Sequence, residues 1–180
     1  MNDRQLAALF MSQVLPRAQA TAGLSAVKMA RSFQPRMHGA SSSPYLYFYK
    51  VGDHRHGYPQ RTDRWNAQTS AMDHIETQKC ETTFQFSAWI PQTAAGVTDL
   101  TESDILNAVV SIMQGDDLAA AFMSQGVGIL RITDVRNPYI VDDHDQYEAV
   151  PTFDVVLTHD RIRVVTIPAI TTTEINISRV

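Results

Sequence analysis

The sequence has little cysteine, few charges and no long apolar run, and each shortage excludes a class of protein. A single cysteine, Cys80, among 180 residues excludes an internal disulfide and any zinc site built from two or more cysteines of one chain. No stretch approaches the roughly 18 consecutive apolar residues of a membrane span. The N-terminal MNDRQLAALFMSQV lacks the apolar core of a signal peptide. We therefore expect a soluble protein made in the cytoplasm.

The charge balance is slightly acidic. The net charge is -4 and the isoelectric point is near 5.8, whereas a general nucleic-acid binder is usually basic overall. Apolar residues make up 44% of the chain, which is enough for a core of ordinary size. The length predicts one domain over residues 1–180, with an extended hairpin at about 45–90 and a C-terminal arm at about 168–180.

Motifs of catalysis and cofactor binding are missing. The chain contains no GxSxG, no P-loop, no GxGxxG and no HExxH, which are the patterns that place nucleophiles, phosphates or zinc. Nothing pairs a nucleophile with a base at a motif spacing. We therefore expect no enzyme, no catalytic residue and no cofactor.

Hydrophobic periodicity predicts helices that are grouped rather than alternating with strands. A helix over 3–14 should end or kink at Pro16, and helices begin near Thr101 and Asp116. Strands are predicted at 25–34, 45–51, 81–90, 128–136 and 149–160, and residues 160–168 either continue the last strand or pair with it. This order predicts an α+β fold with a mainly antiparallel sheet packed against two to three helices, an extended β-hairpin and a β C-terminal arm.

The segment KVGDHRHGYPQRTDRW at 50–65 is the densest chemistry in the chain. On an extended strand His54 and His56 would point to one side and Asp53 to the other. Two imidazoles could supply half a metal site, with a third ligand from Asp73, His74 or the acidic turn at 142–145. No spacing matches a known metal motif. A metal-binding module using His54 and His56 therefore stays the less favoured alternative, and the metal ligands are predicted to be none.

The same segment carries four basic against two acidic side chains in an acidic chain. This asymmetry favours contact with an acidic partner surface or a phosphate backbone. The acidic turn could pair with it across subunits, and the polar tail suits a β arm over a neighbour. The predicted interface residues are Asp53, His54, Arg55, His56, Arg61, Arg64, Trp65, Asp142, Asp143, Asp145, Glu174 and Ile175.

Four stretches, taken in order, carry a resemblance to a known family. They are ATAGLSAVKMARSFQP after an N-terminal helix, SPYLYFYKV, ETTFQFSAWIP before an amphipathic helix, and YEAVPTFDVVLTHDRIRVVTIPAITTTEINI. In this order the chain resembles the bacteriophage neck or tail-terminator proteins. Residues 50–74 are more basic and richer in histidine than the family pattern.

The resemblance implies a structural virion protein that forms a homo-oligomeric ring, usually of six subunits. Such a ring closes the tail tube and joins it to the head completion protein below the portal. It also implies transient, non-specific contact with genomic DNA in the lumen, and no membrane. A head–tail adaptor or stopper of the same neck is the alternative. No catalytic residue comes with this family.

Overall fold

The computed structural model describes residues 1–31, 43–90, 100–141 and 147–168. Three helices and eight strands follow one another in these ranges. The helices are α1 (Asp3–Ala20), α2 (Glu102–Met113) and α3 (Asp116–Met123); the strands are β1 (Lys28–Arg31), β2 (Tyr45–Arg55), β3 (Gln60–Asn66), β4 (Ala71–Trp89), β5 (Val127–Ile132), β6 (Tyr139–Val141), β7 (Tyr147–Ala149) and β8 (Thr152–Pro168). The predicted α+β class is confirmed. Its C-terminal arm beyond residue 168 lies outside the described residues.

The first helix was predicted to end or kink at Pro16, and the predicted end is wrong. The helix begins with a capping box in which Asn2 and Gln5 exchange side-chain and backbone hydrogen bonds of 2.9 Å. It continues through Pro16 to Ala20. The last turn persists because Ala18 is fully buried and the Arg17 guanidinium donates to the Gln13 carbonyl at 2.8 Å. Tertiary packing therefore offsets the hydrogen bond that proline removes.

Six strands form one sheet in the order β1-β2-β4-β8-β5, with β3 paired to β4 off this path. Apart from the parallel pair of β1 and β2, the pairs are antiparallel. β2 lies beside residues 80–89 of β4, and β3 lies beside residues 71–77 of the same strand. β8 follows β4 along almost its whole length, from residue 71 opposite 168 to residue 87 opposite 152.

The core lies between the helices and one face of half of this sheet. Phe10 of α1 meets Phe48, Phe84 and Phe86 edge-on, with ring centroids 5.1–5.4 Å apart. Phe86 stacks on Phe153 at 5.1 Å. Aromatic contacts of these kinds add stability beyond the burial of their area. Helices α2 and α3 complete the core with Ile105, Leu106, Val109, Met113, Leu118 and Phe122.

Helices α2 and α3 begin where the sequence predicts. Thr101 caps α2 through a capping box with Asp104, and acidic residues in the first turns suit the positive end of each helix dipole. Gly115 ends one helix and precedes the next. In the described ranges no single helix is long and apolar enough to cross a membrane, although α2 and α3 together, bent by 63°, reach that length and composition.

Candidate assembly interface

The sheet extends beyond its helices as three strands that none of the helices in the described ranges covers. This three-stranded extension consists of β3, residues 71–79 of β4 and residues 160–168 of β8. Every β3 residue is exposed except the half-buried Asn66, and residues 161–168 are all exposed. The remaining part of the sheet, with the helices on it, is called the body below.

The extension is built by two local turns in the segment that the sequence showed to be rich in charge. Gly57 adopts a positive φ of 60° between β2 and β3, a conformation that glycine tolerates without steric cost. Asn66 then closes the turn into β4 by accepting a hydrogen bond from the Gln68 amide at 3.0 Å, as asparagine side chains commonly do in turns. Between the predicted strands at 45–51 and 81–90, residues 60–66 form a further strand, β3, which was not predicted from the sequence.

The face of the extension that continues the core face carries an apolar row and an ionic cluster. Trp65, Met72 and Ile167 lie side by side on the three strands; Trp65 is 52% exposed and Ile167 is 49% exposed. Four residues nearer the body along the strands, Arg61 and Arg163 flank Glu76 at 3.3 and 3.4 Å. This face therefore offers a partner both apolar area and charge.

The opposite face of the extension is also partly apolar. Ile162 is 61% exposed and Val164 is 54% exposed, and Val164 lies beside the half-buried Ile75. Asp73 organises the polar end of this face, where it accepts hydrogen bonds from Thr166 at 2.8 Å and Asn66 at 2.9 Å. These hydrogen bonds lower the pKa of Asp73, and the bond from Thr166 has the larger effect. Neither face of the extension is covered by the described residues.

Both long edges of the extension lack a partner strand among the described residues. β3 pairs only with β4. The second side of β8 is paired over residues 155–159, where β5 lies, and bonded at residues 152 and 154 by Arg136 and Thr133. The Asp160 carbonyl accepts a hydrogen bond from the N-terminal amino group of Met1. Among the described residues, the backbone N–H and C=O groups on this side of residues 161–168 have no partner strand and form a template for another strand.

A polar chain ties the extension to the body at their junction. The Lys50 ammonium contacts Asp3 of α1 at 2.9 Å and also Asp53. Thr82 donates to Asp53 at 2.7 Å and lies 2.9 Å from the buried His159 ring. Burial favours a higher pKa for Asp53, but the hydrogen bonds from Lys50 and Thr82 outweigh it and lower that pKa. Burial also lowers the pKa of His159, so this ring is neutral at pH 7.

The two histidines singled out in the sequence lie together on the face opposite the core. Their rings are 4.6 Å apart in an edge-on arrangement, and His56 contacts Glu81 at 2.7 Å. Asp53 faces the other way, toward Lys50 and Thr82, as the strand alternation predicts. Within the described ranges, no group of three or more His, Cys, Asp or Glu side chains is placed to hold a metal ion.

The remaining predicted interface residues are divided by the fold. Arg61, Arg64 and Trp65 lie on β3, and Arg55 ends β2 beside it. Asp142, Asp143, Asp145, Glu174 and Ile175 lie outside the described residues. Sequence reasoning missed the exposed β8 side chains of the extension. The run IRVVTIP at 162–168 could have indicated them. It is apolar on both faces of the strand, a pattern typical of strands that are covered on both sides.

Comparison with known proteins adds the family. A family model described as "E217 gateway protein gp29" matches residues 5–169. Among solved structures, the chain is similar to a sheath/tube terminator of an extracellular contractile injection system in its extended state, with 8% sequence identity and a TM-score of 0.49. That match covers all of this chain and 64% of the other, so the chain spans less than two thirds of the protein it matches. No match was found among curated protein sequences.

Proposed function

Because the chain belongs to the family of the E217 gateway protein gp29 over residues 5–169, we propose that it forms a ring in the neck of a phage particle. Family membership assigns it a structural role in the phage tail or neck. In the proposal the ring closes the finished tail tube. It joins the tube to the head completion protein below the portal, and genomic DNA passes through its lumen without specific binding. The role is not enzymatic.

The observation that supports a ring most strongly is the three-stranded extension. This sheet segment is exposed on both faces, carries apolar side chains on each, and has no core of its own among the residues that the structure describes. Ile162 and Val164 on one face, and Trp65 and Ile167 on the other, lose contact with water only when a further surface covers them. Exposed apolar surface of this kind marks interaction sites. Subunits repeated around an axis provide such a surface for every extension.

The charge distribution suits the rest of the proposal. Residues 100–126, which contain α2 and α3, hold Glu102, Asp104, Asp116 and Asp117 and no lysine or arginine. The chain as a whole is acidic by four charges. A lumen lined densely by lysine and arginine would retain DNA through its phosphates, whereas a chain of this balance allows DNA to slide.

The predicted contact residues keep their place in the proposal. We propose that Arg55, Arg61, Arg64 and Trp65, on and beside β3, meet a neighbouring subunit or the tube. The acidic residues 142–145 and the segment around Glu174 and Ile175 are proposed to reach across subunits. An adaptor or stopper of the same neck is the alternative position. We prefer the terminator position because the chain is rich in β-strands.

Sizing and imaging of the full chain test this function. Light scattering and negative-stain microscopy should show rings for the protein at high concentration, or for the protein mixed with purified tail tubes. The rings should sit at tube ends and stop tube growth. A protein that stays strictly monomeric under both conditions contradicts the proposal. A map of the particle that places the chain away from the tube end, in contact with the portal, assigns the adaptor position instead.

A further inference from the structure

We infer that the free edge of β3 in one copy pairs with residues 161–168 of β8 in the next copy, so that the extensions join into one continuous sheet around the ring. This inference rests on the proposed ring and names the surface that closes it. The occupant of the β8 edge is thus a strand of a second copy of this chain.

The edges of the sheet differ in how well they are protected. In the body, the edge strands β1 and β5 have four and six residues, and the pairing of β5 shifts register between Ile129 and Arg131. Short edge strands and irregular registers are devices by which proteins prevent edge-to-edge association. Both edges of the body are therefore protected against pairing with another strand.

The edges of the extension have neither device. β3 keeps a regular register over all seven of its residues. The free edge of β8 runs from Arg161 to Pro168 without a register shift, and Val164–Ile167 carries no charge. An edge that is long, regular and uncharged over four residues is a predicted association site. The two free edges also match in length, so each can satisfy most of the other's backbone groups.

Strand direction supports the pairing of β3 with β8 rather than of either edge with itself. β3 and β8 are both antiparallel to β4, so they are parallel to each other within one copy. A rotation about an axis to which these strands are tilted, as in a closed barrel, preserves that direction and brings β3 of one copy beside β8 of the next, with an offset along the strands set by the tilt. Contact between two different edges is heterologous, and heterologous contacts form a ring when the rotation closes.

Side chains at the two edges favour one register. Setting Asp63 opposite the neighbour's Arg163 brings Trp65 opposite Val165, on the face that continues the core face. On the other face the same register sets Thr62 opposite Ile162. Opposite charges and aromatic–β-branched pairs each stabilise neighbouring strands. This register places one of each at the joint, against one pair of like charges, Arg61 opposite Arg161.

Cysteine cross-linking tests the joint in the full chain. The double variant Thr62→Cys with Ile162→Cys places one thiol on each edge. Within one copy these positions are separated by two strand spacings, about 9.6 Å, across the sheet and by two residues along it, so they lie beyond the roughly 7 Å that a disulfide can bridge. Mild oxidation should therefore give a ladder of linked copies that ends in a closed species, with loss of the monomer band. The native Cys80 is buried and should not contribute.

Matched variants separate the joint from other contacts. Each single variant alone should give no ladder, and a mixture of the two singles should stop at dimers, because position 62 meets position 162 and not itself. A body-edge pair, Lys28→Cys with Leu130→Cys, should stay monomeric. A ladder from that pair, or dimers from Thr62→Cys alone, would overturn the inference. A further double variant, Ile162→Cys with Thr172→Cys, tests whether the C-terminal segment occupies the β8 edge. A disulfide between these two positions would also overturn the inference.

The same samples distinguish failure of the joint from failure of the ring. In one outcome, microscopy shows rings although no ladder forms from Thr62→Cys with Ile162→Cys or from the neighbouring pair, Thr62→Cys with Val164→Cys. That result overturns the β3–β8 joint and leaves the proposed ring standing. Absence of rings with the wild-type chain, alone and on tail tubes, overturns the proposed function itself.

Discussion

The two parts of the sheet share strands β4 and β8 yet differ in what covers them. In the body, Phe84, Phe86 and Phe153 are fully buried under the helices. Past His159 the same face of β8 continues with Val165 and Ile167, which are exposed to solvent. A strand sequence therefore does not by itself decide whether a residue stabilises the monomer. The layer packed on it decides, and here that layer ends where the extension begins.

The largest stability effect should come from removing an aromatic ring of the body. Phe86→Ala deletes a ring that stacks on Phe153 and meets Phe10 edge-on, and it leaves a cavity. We expect a loss of about 3–5 kcal/mol in the free energy of unfolding, measured by urea denaturation. Tyr58→Ala, at a side chain that is 98% exposed, is the control and should change stability by less than about 0.5 kcal/mol. Similar losses in both variants would contradict the distinction.

A matched pair on one strand compares the two parts of the sheet directly. Val155→Ala and Val164→Ala remove the same two methyl groups from β8, at a fully buried and a mostly exposed position. We expect about 2–3 kcal/mol of destabilisation for Val155→Ala and less than about 0.5 kcal/mol for Val164→Ala in the monomer. Thermal unfolding of both variants measures the difference. In assembled rings Val164→Ala should also become destabilising, if the extension is buried there.

The junction between the two parts should show a pH dependence of about 1 kcal/mol. The folded-state pKa of Asp53 is lowered, so this carboxylate stabilises the fold above its ordinary pKa of 3.8 and loses that contribution as the pH falls through the folded value. Asp53→Asn should cost about 1 kcal/mol at pH 7 through its bonds with Lys50 and Thr82. The difference between wild type and variant should vanish in acid. A difference that persists below the folded pKa would show that charge is not the cause.

The smallest stability effect should accompany a loss of assembly. Arg55→Glu with Arg64→Glu reverses two exposed charges on and beside β3 and should leave the free energy of unfolding within about 1 kcal/mol of wild type. Particle yield or tube termination should fall. Arg4→Glu with Arg131→Glu reverses two charges of the body and serves as the control. Unchanged particle yield with the first pair would show that this surface makes no contact.

Much of the body could be predicted from the sequence because its patterns are local. The Thr101 cap, the apolar stripe of α2 and the alternation around Phe84 each report the local environment directly. The family resemblance, drawn from the order of such stretches, is confirmed by the match over residues 5–169. The end of α1 was not predictable, since burial of Ala18 overrides the stop signal of Pro16.

The extension shows where local patterns stop being informative. Residues 60–66 have few apolar side chains, so no periodicity marks them as a strand, and only pairing with β4 makes them one. His54 and His56 lie on one side of the strand as expected. Their neighbour Glu81 lies on another strand, 25 residues from His56 in sequence, and its contact with His56 could not be predicted. The apolar run at 162–168 was visible as a strand, but its exposure was not.

The sequence by itself determined the class of fold, the composition of the core and the absence of known catalytic motifs, because these depend on residue type and spacing along the chain. Only the tertiary structure decided which strands carry the helices and which project beyond them. That outcome depends on the register of β4 against β8, a long-range pairing that no local pattern encodes. The same register leaves two edges of the sheet unpaired in the described residues, and the proposed assembly depends on those edges.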